Sequence, residues 1–227
     1  MSKPEITDQS DAPLDPAAMY ALLQNQQRSI AGEMGSFVPL MAGVWGVAWI
    51  IGFVALWLVE GLRPTFSLPL PVAVMVFIAM MLIAAGVSTW AGIRSNRGLK
   101  VSAESQFTGT VYGVTWSVGS TALAVLGGGL MFNGMSGELA NFFYPSAYVF
   151  FAGIMYLLAG AIWHAVPCVW AGGFLVLVAV AAPFIPFPTH YLFFAVAGGG
   201  CFLVLAAVMS RSLRKLRSLT QGAARGR

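Results

Sequence analysis

Phe37-Val-Pro-Leu-Met-Ala-Gly-Val-Trp-Gly-Val-Ala-Trp-Ile-Ile-Gly-Phe-Val-Ala-Leu-Trp-Leu-Val59 runs for 23 residues without a charged side chain. As a helix it rises about 34 Å, enough to cross a hydrocarbon core of about 30 Å. Five more apolar segments follow, at 69–92, 108–132, 143–164, 166–185 and 190–210. Each has roughly the 20 residues that one crossing needs. The fourth and fifth are separated only by the corner His164-Ala-Val-Pro167. The expected fold class is therefore all-α: a polytopic membrane protein of six transmembrane helices, occupying residues 37–210.

Composition supports that reading. Of 227 residues, 58% are hydrophobic and 9% charged, against about 25% charged in a soluble domain. So few charges cannot make a water-facing surface, and the expected partner is the lipid bilayer. The net charge of +4 sits in short runs beside apolar segments. That placement suits anionic headgroups and gives no reason to expect nucleic acid. The two cysteines, Cys168 and Cys201, show no metal or redox spacing. Their expected depths differ by most of a leaflet, so they read as small apolar packing residues.

The flanks are distinct. Residues 1–15 are polar and acidic and read as disordered. They lack the basic and apolar regions of a signal peptide, so the first span is expected to act as an uncleaved anchor. Asp15-Pro16 resembles a helix start. Residues 16–36 then form an expected amphipathic helix, with Met19, Leu22, Leu23 and Ile30 on one face and Arg28 as its single basic residue. It suits lying on the bilayer or docking on protein. A basic tail, 211–227, closes the chain.

Orientation follows from Lys and Arg. Eleven of the twelve fall in the amino-terminal segment, the loop at 93–107 and the tail; Arg63 alone lies in an odd-to-even connection. Both termini are expected on the cytoplasmic side.

The chain also resembles itself. Val44-Trp-Gly-Val-Ala-Trp-Ile-Ile-Gly-Phe-Val-Ala-Leu56 aligns without gaps on Val111-Tyr-Gly-Val-Thr-Trp-Ser-Val-Gly-Ser-Thr-Ala-Leu123, with seven of thirteen positions identical. A weaker third copy places Trp170, Gly173 and Leu177 against Trp49, Gly52, Leu56 and Trp116, Gly119, Leu123. The even spans echo one another at Val76–Ala79, Val149–Ala152 and Leu192–Ala195. Three tandem two-helix units with a parallel relation are expected, each Trp-x-x-Gly packing a neighbouring helix closely. Gly128 and Gly199, central in two triple-glycine runs, are candidate helix breaks, since each Gly weakens a helix by about 1 kcal/mol.

Three short two-helix repeats, aromatic-then-glycine odd spans and the outer connection Arg63-Pro64 to Pro71 resemble the HdeD-like family of small bacterial membrane proteins. The chain is also similar to actinobacterial six-span integral membrane proteins with a Gly-rich last helix, here Ala197–Leu203. Membership of the first family would imply a six-helix fold and a link to acid stress.

Candidate chemistry is sparse. No ionisable residue is expected at mid-depth, where it would mark function. His164 and His190 belong to opposite faces. There is no H-E-x-x-H, nucleophile elbow, P-loop or paired membrane carboxylate. No cofactor, metal site or catalytic residue is expected. Two readings remain open: a transporter-like protein or membrane subunit of a transport system, and a structural or stress-related protein binding lipid or partners without moving a solute.

Overall fold

The computed structural model describes residues 16–95 and 102–225, with side chains from Phe37 onward, apart from Ser95, Leu216, Arg217 and residues 219–225. The acidic segment 1–15 and the loop residues Arg97 and Lys100 lie outside the described residues. Among the described residues seven α-helices follow in order: α1 Pro16–Trp57, α2 Leu70–Ser95, α3 Ala103–Phe132, α4 Gly137–Ile162, α5 Val166–Ala181, α6 Thr189–Phe193 and α7 Gly200–Arg225. A short 3-10 turn, Ala182–Phe184, ends α5, and a π-helical segment, Phe194–Gly199, joins α6 to α7. Six helical stretches among the described residues are long and apolar enough to cross a membrane, α6, the π segment and α7 together forming the sixth. The chain is an all-helical integral membrane protein.

Local chemistry explains the boundaries. Ser102 and Ser136 cap α3 and α4, their hydroxyls accepting from the Ser105 and Leu139 amides, which meets donors left free at a helix start. These caps move the starts of spans three and four from the expected 108 and 143 to Ala103 and Gly137. At the end of α3 the Met135 amide donates to the Leu130 carbonyl and Gly134 to Met131. Gly134 holds φ +101° there, a conformation that favours glycine. Pro167 lies in the first turn of α5, where its missing N–H costs nothing.

Helices run on through two of the expected boundaries. Residues 16–36 are not a separate helix: α1 is continuous for 42 residues, through Pro39, and so is about 63 Å long. The basic tail is helical too, α7 running to Arg225. Both helices therefore project past the same end of the bundle.

Packing sets four helices at the centre. The buried cluster joins Trp49 and Phe53 of α1, Val149 and Ala152 of α4, Leu175 and Val178 of α5, and Phe194 and Phe202 of the sixth span. α2 rests chiefly on α1 and α3 chiefly on α4, so these two form the flanks. The closest seams join α4 to α5 and α1 to the sixth span. Within the third expected hairpin, α5 packs more extensively on α4 than on the sixth span. Large apolar side chains such as Leu82, Val118, Leu126 and Leu177 face outward, as lipid-facing residues do.

Candidate functional site at the helix seams

Trp49 is buried and meets the Phe202 ring edge-on, with centroids 4.9 Å apart. A Cβ added at Gly198 would sit 2.9 Å from the same indole. Three residues on, the space beside Gly52 is filled by Phe77 of α2, whose Cδ2 would lie 2.9 Å from an added Cβ. The second unit repeats the kind of contact. Trp116 lies edge-on to Phe151 at 5.4 Å, and an added Cβ at Gly119 would overlap the Phe151 ring of α4. Trp170 departs from this. It is 76% exposed, and nothing lies within 4 Å of a Cβ at Gly173. Its neighbour Gly172 makes the close approach instead.

The Gly119 contact carries a direct expectation. Gly119→Leu forces Phe151 out of its seat and costs about 1–3 kcal/mol, whereas Ala122, three residues on and exposed, accepts leucine. Thermal unfolding of the two purified variants checks this; equal midpoints would sink the packing argument.

Of the candidate helix breaks, Gly199 ends the π segment, where it faces Ile50 and the Gly46 carbonyl of α1. Each of Gly46 and Gly199 would place an added Cβ 3.0 Å from the other's carbonyl oxygen. Gly128 lies in regular α3 with open space beside it. The filled position in that run is Gly127, against the Tyr144 ring. Tyr144 of α4 occupies that space, and α3 remains α-helical through the run.

Polar links tie α1 to α2 and α3 to α4 at aligned positions. Trp45 Nε1 donates to Ser88 Oγ at 2.9 Å, and Tyr112, aligned with Trp45, donates to the Met155 carbonyl at 3.1 Å. Each bond spans 43 residues. In lipid such donors must be met internally. The Trp/Tyr position one residue after Val44 and Val111 carried this signal in the sequence, unread.

His190 is the group that reading the sequence missed most completely. It is 0% exposed, and its ring lies tilted against those of Tyr191 and Phe142, with centroids 4.0 and 4.4 Å away. Its Nε2 lies 3.2 Å from the Asn141 carbonyl oxygen; a carbonyl only accepts, so the N–H is on Nε2. The cause is four residues along α4. Pro145 has no N–H, so the Asn141 carbonyl lacks its helical partner. His190 supplies the missing donor. Nδ1 is left without a hydrogen bond, as is Ser146 Oγ, which borders an open apolar groove of about 560 Å³ between α4 and the end of α5.

Among the described residues no three His, Cys, Asp or Glu side chains come together. The cysteines are free and closer in depth than expected. Cys201 Sγ points at the Ala171 carbonyl, 3.8 Å away, one turn beyond Cys168, because α5 and α7 lie side by side there.

These seams define a helical membrane protein whose centre is filled by interlocked aromatic rings. No family model, curated protein or solved structure matches this chain.

Proposed function

We propose that the protein is a non-enzymatic membrane scaffold that binds lipid or partner proteins through its projecting helix ends and moves no solute itself. The observation that carries this is the filled centre. Trp49, Phe53, Phe194 and Phe202 interlock with centroids 4.9–5.8 Å apart, and apolar residues of α4 and α5 close the remaining sides. A solute path needs polar groups along its length; here the buried rings occupy that space. The residues 16–36, continuous with α1, supply a docking element about 30 Å long. Resemblance to the HdeD-like family supports a stress-related role. The distribution of Lys and Arg supports cytoplasmic termini, and the HdeD-like resemblance supports a bacterial inner-membrane location.

One observation favours the second reading, a membrane subunit of a transport system. The π segment Phe194–Gly199 lies against α1 at Gly46 and Ile50, and π-helical turns recur at functional sites. Flux separates the two. Purified protein in sealed vesicles is expected to pass small cations, anions and polar solutes no faster than empty vesicles. Saturable flux that Gly199→Val abolishes would overturn the scaffold reading.

A further inference from the structure

We propose that the end of the bundle bearing both termini carries a basic collar that selects anionic phospholipid headgroups. The collar's cations come from two helices, α2 and α7, brought to one level by their packing on α1. α1 and α7 run antiparallel: a Cβ added at Gly43 would touch Ala206 at 3.8 Å, and one at Gly46 would meet Leu203. Counting six residues back from Gly43 gives Phe37, and six on from Ala206 gives Ser212. At 1.5 Å per residue both lie about 9 Å further toward the terminal end. Phe37 in turn packs edge-on against Trp90 of α2, at 6.2 Å, and the Arg94 guanidinium lies 5.6 Å over that indole. Arg94 thus shares the level of Arg211, Arg214 and Lys215.

All four side chains are exposed. Among the described residues the ion pair is Arg63–Glu60, at 3.7 Å, in the connection at the opposite end, so none of the four meets a carboxylate. The nearest acids by sequence position are Glu33, four residues further out along α1, and Glu104, in the first turn of α3 on the other flank.

Depth decides the occupant. The apolar part of α1, Phe37–Trp57, has 21 residues and spans about 31 Å, the thickness of the hydrocarbon core. Its Phe37 end therefore meets the lipid phosphates, with Trp90 at the interface where indoles concentrate. Four unpaired cations at phosphate level complement an anionic headgroup. A zwitterionic lipid brings its own ammonium and gains less. Each such cation contributes about fivefold in relative retention of an anionic lipid. This inference names the lipid class for the lipid binding proposed above, and it is tested separately from the flux result, since a transport subunit would hold the same collar.

The test uses the full chain in mixed micelles with equal phosphatidylglycerol and phosphatidylcholine of matched acyl chains, with retained lipids counted by native mass spectrometry. The wild type is expected to retain phosphatidylglycerol at least about fivefold over phosphatidylcholine. Arg94→Gln, Arg211→Gln, Arg214→Gln and Lys215→Gln combined bring the ratio to near parity. The charge-keeping set Arg94→Lys, Arg211→Lys and Arg214→Lys preserves it, and so does Arg63→Gln at the opposite end. Raising salt to about 1 M, where charges are screened within about 3 Å, collapses it in the wild type. Parity in the wild type, a preference that survives in the four-Gln variant or in high salt, or full displacement of the lipid by inorganic phosphate would each overturn the assignment.

Discussion

Gly172→Ala lowers the thermal unfolding midpoint of the purified protein, while Gly173→Ala leaves it in place or raises it. The two glycines are adjacent on α5 and chemically identical, so their difference isolates the seam with α4. A methyl at Gly172 would lie 2.6 Å from the Leu157 amide nitrogen and 2.7 Å from the Gly153 carbonyl oxygen. Both are backbone atoms of a helix and cannot rotate aside. α4 and α5 must separate, and with them Gly153 and Gly160, whose own added Cβ atoms would meet α5 backbone nitrogens at 2.9 Å. Overpacking of this kind costs about 1–3 kcal/mol for one methyl. Gly172→Val adds two more carbons and is expected to leave little folded protein. At Gly173 a methyl meets open space, and exchange of Gly for Ala in a helix gains up to about 1 kcal/mol. Differential scanning fluorimetry in one detergent measures all three variants. Equal midpoints for the two alanine variants would refute the close α4–α5 approach.

The same pair shows where sequence reading stops. Length and hydropathy reveal six spans, because crossing a fixed apolar thickness constrains every segment separately. Which side of a span packs is a relation between segments, and an almost wholly apolar helix carries little periodicity to report it. Trp49-x-x-Gly52 and Trp116-x-x-Gly119 were legible because the pattern recurs with Trp, and each glycine does seat a Phe of the following helix. At the third copy the same spacing pointed to Gly173, one residue from the glycine in contact, and to Trp170, which faces outward. A one-residue step turns a helix by about 100°, so a correct motif with the wrong neighbour lands on lipid. The continuity of α1 was hidden for another reason. Pro39 and the polar residues before it look like a helix boundary, yet a proline near the end of an apolar stretch leaves its unmatched carbonyl toward the polar side, where water can meet it.

Pro145 had no such outlet, and that makes His190→Leu the most informative change at the end of the bundle opposite the termini. Leucine approximates the volume of the imidazole but has no donor, so the Asn141 carbonyl is left unmatched between α4 and α6. A buried polar group without its partner costs about 1–3 kcal/mol, and the aromatic contacts to Tyr191 and Phe142 are lost with it. The explanation through proline is separable from a merely steric one. Pro145→Ala restores a backbone N–H in register with the Asn141 carbonyl, so that carbonyl regains a helical bond whether or not His190 is present. In the double variant His190→Leu with Pro145→Ala, most of the loss should therefore be recovered. A coupling of about 1 kcal/mol or more between the two sites is expected, within the range seen for groups sharing one partner. Unfolding midpoints of the wild type, both single variants and the double variant complete the cycle. Strict additivity would mean that His190 is held by ring packing alone and that the carbonyl freed by Pro145 finds another donor.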